Sequence, residues 1–195
     1  MADALIVVDV QNDFCPGGSL AVPDGDAVVP ILNEYMARAV DAGLPIFASR
    51  DWHPEHTRHF VTEGGPWPPH CVQGTSGAEF HAGLRLPASA VVVSKGMSTD
   101  DQGYSALEAL LPDGRPLAAA LHALGVDHVY VGGLATDYCV RATVLDAIND
   151  GFATSLLIDA IRAVDVRPDD GERATNEMLT AGAEPQILDE FAPTK

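Results

Sequence analysis

Short apolar, β-branched runs alternate with stretches of helical period along this chain, and that alternation constrains the fold more than any other feature. Ala4–Val10 is such a run, with Asp9 interrupting it near its end, as in a buried parallel strand that opens on a site. Asp26–Ala42 then carries the 3.6-residue period and stops at Gly43. Pro45–Ser49, Ala90–Ser94, Asp127–Val131 and Ala153–Ile158 read as further strands, and Pro185–Leu188 as a sixth. Thr136–Asn149 and Asp169–Ala181 read as helices, the first ending before Gly151. Strands that alternate with helices predict an α/β single-domain open parallel sheet with helices on both faces.

The 195 residues suit one such domain over 1–195, large enough to bury roughly 70% of its unfolded surface without disulfide support. Two stretches break the alternation. Cys15–Gly25, rich in Pro and Gly, is a loop after the first strand. Residues 51–87 form a long insertion with little periodicity that holds His53, His56, His59, His70 and His81, and a loop of that length in a compact domain is usually functional.

Composition excludes several roles. With 28 acidic against 11 basic residues, the net charge of −17 repels phosphate backbones and anionic lipid, so neither nucleic acid nor membrane is expected as a partner. The N-terminal apolar run is too short for a membrane span and lacks the basic flank of a signal peptide, which gives a cytoplasmic expectation. Three cysteines, Cys15, Cys71 and Cys139, cannot all pair and form no CxxC, which leaves room for a catalytic thiol.

In an open α/β sheet, ligands bind at the carboxyl ends of the strands. Asp9, Asp51, Lys95 and the segment Gly132–Cys139 lie at or just past four such ends. Each alone has a bland reading: a turn-capping acid, a solvated lysine, a small buried thiol. Together they could converge on one crevice, where a carboxylate and an ammonium set each other's proton affinity. Cys139 falls in the first turn of its helix, with Thr136 as the expected N-cap. Backbone N–H groups there would stabilise a thiolate and a developing oxyanion. With Lys95 nearby and Asp9 partly opposing, the thiol pKa is expected to be depressed.

Asp9-Val10-Gln11-Asn12-Asp13-Phe14, Asp51-Trp52-His53-Pro54, the Trp67–Thr75 segment WPPHCVQGT, Lys95-Gly96 and Ala135-Thr136-Asp137-Tyr138-Cys139-Val140 resemble, in order, the motifs of the nicotinamidase/pyrazinamidase branch of the isochorismatase-like hydrolases. The resemblance implies that fold, and a catalytic triad of Asp9, Lys95 and Cys139. It also implies an oxyanion hole at the Ala135 and Cys139 amides. Phe14 and Trp67 match aromatic residues that enclose a pyridine ring, with Tyr104 at the border of the pocket. Asp51, His53 and His70 match ligands of one divalent transition metal ion, for which zinc, iron and manganese all suit the donor types. Some relatives add a histidine where this chain has His59 and others carry serine, so the fourth ligand stays open. Cys15 and Cys71 are read as packing residues, and His56 and His81 as solvent-facing.

The implied reaction is hydrolysis of nicotinamide, or a pyrazinamide-like analogue, to the acid and ammonia through a cysteine thioester, by a monomer or a homo-oligomer. Isochorismatases lack the cysteine. The carbamoylsarcosine and ureidoacrylate hydrolases keep the triad but lack the metal motif. A metal-binding or redox-sensing module without turnover would explain the histidines and a reactive thiol, but not Asp9 and Lys95 at strand ends.

Overall fold

The computed structural model describes residues 2–193. Six strands form one parallel sheet: β1 (Ala2–Val8), β2 (Ile46–Asp51), β3 (Val91–Lys95), β4 (Val126–Leu134), β5 (Ala153–Arg162) and β6 (Glu184–Gln186), in the order β3-β2-β1-β4-β5-β6. Four helices cover it: α1 (Val28–Ala42), α2 (Leu117–Ala123), α3 (Arg141–Asn149) and α4 (Asp170–Ala181). The side-chain period of two sorts the central strands between two cores. Leu5, Val7, Tyr130 and Leu157 face α1, whose Val29, Leu32, Tyr35, Met36 and Ala39 form its buried stripe. Ala4, Ile6, Val8, Val129, Val131 and Leu156 face the opposite way, onto Leu117 and Leu121 of α2, Val144 and Ala147 of α3 and Met178 of α4. From Ala4 to Val8 both faces of β1 are buried, so that stretch is continuously apolar rather than alternating.

The expected α/β architecture holds, with four differences in detail. The helix expected from Asp26 starts at Val28, after a 3₁₀ turn over Gly25–Ala27. The segment expected as one helix from Thr136 opens with a π-helical turn over Thr136–Val140, capped by Ala135 rather than Thr136. The last strand is Glu184–Gln186, and the short helix α2 was not expected. Residues 52–90 contain only 3₁₀ turns and isolated bridges, among them His53 with Val72 and Phe60 with Trp67.

The strand order changes direction between β1 and β4: the chain leaves β1 towards β2 on one side and leaves β4 towards β5 on the other. A crevice opens at the carboxyl ends of two such strands. Only glycine fits at the β4 end. Gly133, at φ +127°, lies opposite Val8, and a Cβ there would sit 2.1 Å from the Val8 carbonyl oxygen.

Candidate active site

Each crevice residue is delivered by the end of an element. Asp9 follows β1 directly, at a φ of +48° that turns the chain away from the sheet. Its carboxylate is buried; Oδ1 accepts a 2.7 Å hydrogen bond from the Ser49 hydroxyl of β2. Lys95 ends β3, and its Nζ lies 2.6 Å from Asp9 Oδ2 and 3.4 Å from Cys139 Sγ. The same ammonium donates to the Gly103 carbonyl and pairs with Asp51 Oδ1, the carboxylate at the end of β2. Cys139 sits in the π-helical turn after β4; its carbonyl accepts the Thr143 hydroxyl, which in turn accepts the Ala106 N–H. Asp9, Lys95 and Cys139 are thus in mutual contact, with Asp51 on the far side of the ammonium.

The electrostatics follow from burial. Desolvation drives the Asp9 carboxyl up, Lys95 offsets part of the effect and Asp51 adds to it, so the group titrates at about 6. Burial opposes the charge on Lys95, but Asp51, Asp9 and Cys139 overcome it and hold the ammonium well above its ordinary range. For Cys139 the expected depression does not occur. Burial pushes the thiol well up; the lowering by Lys95 is outweighed by burial together with the two carboxylates and a hydrogen bond with Asp9. The helix end and the cation were visible in the sequence. The desolvation of a buried sulfur was not.

Beyond Asp51 lie three buried imidazoles. A ring nitrogen from each of His53, His59 and His70 lies within 4.8 Å of one from each of the others. His53 Nδ1 is 3.0 Å from the Gly96 carbonyl and His70 Nδ1 is 2.7 Å from the Pro68 carbonyl. A carbonyl only accepts, so both Nδ1 atoms carry hydrogen, and in the neutral rings the lone pairs lie on Nε2. These Nε2 atoms lie 3.6 and 3.8 Å from Asp51 Oδ2. His53 Nε2 is buried and makes no hydrogen bond among the described residues. Two imidazoles held by carbonyls, each turning a bare lone pair toward a carboxylate, are the donor set of a transition-metal site. Gly96 makes the first of these bonds possible: a Cβ there, at φ +66°, would lie 2.4 Å from the His53 ring. A second acidic group, Asp9, Asp51 and Cys139, is not such a site, because the Lys95 ammonium already fills it.

A narrow cavity joins the two clusters, lined by Cys139 and Ala135 at one end and by Asp51, His59 and His70 at the other. Phe14, Leu20, Trp67, Tyr104, Tyr138 and Val164 complete its walls. The three aromatic residues expected from the sequence are therefore all present. Trp67 Nε1 donates to the Tyr104 hydroxyl at 3.0 Å, tying the insertion to the loop after β3. Tyr138 was missed. Its ring stacks on Tyr104 and meets Trp67 edge-on, and only its place beside Cys139 could have marked it. His56 is exposed as expected; His81 is half-buried and accepts the Gly83 N–H. Cys15 and Cys71 are buried outside the cavity lining.

The chain belongs to the isochorismatase family: the pattern of the Isochorismatase domain matches residues 3–190. Within that family it is 45% identical to the nicotinamidase/pyrazinamidase of Mycobacterium tuberculosis, over 93% of this chain and 96% of that protein. The crystal structure of the pyrazinamidase of Pyrococcus horikoshii in complex with zinc matches with a TM-score of 0.88 and 47% identity, covering 96% of this chain and 99% of the other. PnC1 of L. infantum in complex with nicotinate matches with a TM-score of 0.85 and 39% identity, covering 98% and 95%. Among the described residues, no helix is long and apolar enough to cross a membrane.

Proposed function

We propose that this chain is a nicotinamidase, hydrolysing nicotinamide to nicotinate and ammonia, with Cys139 as nucleophile, Asp9 as general base and acid, and Lys95 as the cation that holds both. The carrying observation is one narrow cavity in which the Cys139 sulfur, paired with Asp9 and Lys95, faces the His59 and His70 imidazoles across aromatic walls, with the buried His53 imidazole beside them. The similarity to enzymes named for nicotinamide and pyrazinamide supports the same substrate class.

The raised thiol pKa defines how the first step runs. Cys139 rests as a thiol, and Asp9, titrating at about 6, is largely ionised at neutral pH. As the sulfur attacks the carboxamide carbon, its proton passes to Asp9, so no free thiolate accumulates. The C–S bond forms as the carbonyl π bond opens, and the oxyanion is received by the Ala135 and Cys139 amides. Asp9 returns the proton to nitrogen, the C–N bond breaks and ammonia leaves. Water then adds to the thioester carbon and gives a proton to Asp9. The C–S bond breaks as Asp9 returns that proton to the sulfur, and the acid leaves as nicotinate after losing its own proton to solvent. Lys95 stays charged throughout and balances Asp9 when that group is ionised.

Asp51, His53 and His70 would hold a divalent metal, zinc by donor type, with His59 placed to add a further nitrogen. When bound, that ion supplies a Lewis-acidic anchor for the pyridine nitrogen, directly or through water. Phe14 and Trp67 sandwich the ring, with Tyr104 at the border of the pocket, and together they exclude water, so that the carboxamide meets the sulfur in a fixed orientation. The purified, zinc-loaded protein should release ammonia from nicotinamide, and Cys139→Ala should lower kcat at least about 10³-fold in a folded protein. Metal binding without ammonia release would favour a binding module instead.

A further inference from the structure

The Gln11 side chain is buried, and all three of its hydrogen bonds go to backbone groups. Nε2 donates to the carbonyls of Asp51 at 2.8 Å and Ala78 at 2.9 Å, and Oε1 accepts the Asp51 N–H at 2.8 Å. The reason lies in the sheet. β1 pairs with β2 only as far as Val8 with Ser49, because Asp9 turns the chain away. The edge of β2 at Asp51 then lacks a strand on the β1 side, while its other edge still pairs with Lys95. The primary amide of Gln11 supplies the donor and the acceptor that a neighbouring strand would have offered. It thereby fixes the two backbone groups that flank the Asp51 Cα.

We infer that Gln11 is the positioning residue for Asp51, and through Asp51 for both halves of the site. The Asp51 carboxylate reaches Lys95 with Oδ1 and the histidine cluster with Oδ2, so a rotation of its backbone moves the ammonium and the metal donors together. A neighbouring residue adds a parallel tether. Asp13 Oδ2 accepts the Cys71 N–H at 2.7 Å, one residue after His70, and the Cys71 carbonyl accepts the His53 N–H at 3.0 Å. The inference rests on the reading of Asp51 as a metal ligand under the proposed function.

The alternative is a purely structural amide, and the molecule contains a matched control for it. Asn33 of α1 bridges loop backbone in the same way, donating to the Gly83 carbonyl at 2.9 Å and accepting the Arg85 N–H at 2.8 Å, away from the cavity. The experiment measures zinc affinity by competition with a chromophoric chelator, the absorption spectrum of the cobalt(II)-loaded protein, and urea stability, for the parent, Gln11→Ala, Gln11→Glu and Asn33→Ala. Removal of a group that orients a metal ligand weakens metal binding by about 10–100-fold, and that loss is expected for both Gln11 variants, with an altered cobalt spectrum. Asn33→Ala should lose stability and keep the parent values of both. Gln11→Glu preserves side-chain length and the acceptor for the Asp51 N–H, so it carries the test if Gln11→Ala does not fold. Gln11 variants that bind zinc within about threefold of the parent, with the parent cobalt spectrum, would overturn the inference whatever their stability. A parent that binds no stoichiometric zinc would instead overturn the reading of Asp51 beneath it, and that result is visible before any variant is made.

Discussion

Each group in the crevice is held in a protonation state by its neighbours, and the pH dependence follows from those states. Asp9 must be ionised to take the Cys139 proton, and burial has lifted its pKa to about 6. As pH falls through that value the base is lost, so kcat/KM should fall on the acid side with a midpoint near 6. The folded protein binds this proton more tightly than the unfolded chain does, so Asp9 contributes stability below its ordinary carboxyl range, and that contribution disappears as pH rises through about 6. Stability and activity should therefore move in opposite directions where this group alone titrates. The pH–rate profile of the parent decides the first point, and loss of that acid limb in a residually active Asp9→Asn protein ties it to this carboxylate. A flat profile from pH 5 to pH 8, roughly a unit or more on each side of the proposed value, would remove Asp9 from the proton path. Cys139 should also alkylate slowly at neutral pH, as a buried thiol does, rather than with the speed of a depressed cysteine.

At the scale of elements, the carboxyl ends of β1, β2, β3 and β4 deliver four side chains to one point, and this was the part most legible in the sequence. An apolar run that ends in Asp9, or closes within two residues of Asp51 or Lys95, announces both the strand and the polar end of it. The contacts made across elements were not legible. Gln11 and Asp13 stand in a quoted motif, but the backbone groups they bind belong to residues 51 and 71, which only the fold brings near. Helix α2 was missed because its seven residues are too few to establish a period. The sign of the Cys139 shift was missed because it depends on burial by the whole crevice rather than on a local pattern. The β1–β4 contact yields a direct prediction. Gly133→Ala would place a methyl group against the Val8 carbonyl at a φ that strains any L-residue, costing at least about 2 kcal/mol in urea unfolding. Wild-type stability in that variant would mean that the two strand ends can move apart without penalty.

For the whole molecule, the long insertion is the open question of organisation, and its own side chains answer it. Both tryptophans of the chain, Trp52 and Trp67, lie within 51–87, whereas most of the regular backbone lies in the sheet and helices. If the insertion belongs to a single domain, urea transitions followed by tryptophan fluorescence and by far-UV circular dichroism should coincide; two separated transitions would make it an independent unit. Its bonds to the body, through Gln11, Asp13 and the Trp67–Tyr104 pair, argue for coincidence. The division of origin between sheet and insertion has an evolutionary consequence. Asp9, Lys95 and Cys139 come from strand ends or the turn after β4, while His53, His59, His70 and Trp67 come from a segment without strands or α-helices of its own. A lineage can therefore rewrite the recognition segment while inheriting the reactive one intact. A chimaera carrying another family member's 52–87 segment on this sheet should acquire that donor's amide preference and keep this chain's Cys139 alkylation profile. If both properties travelled with the segment, reactivity and recognition would be one inherited unit rather than two.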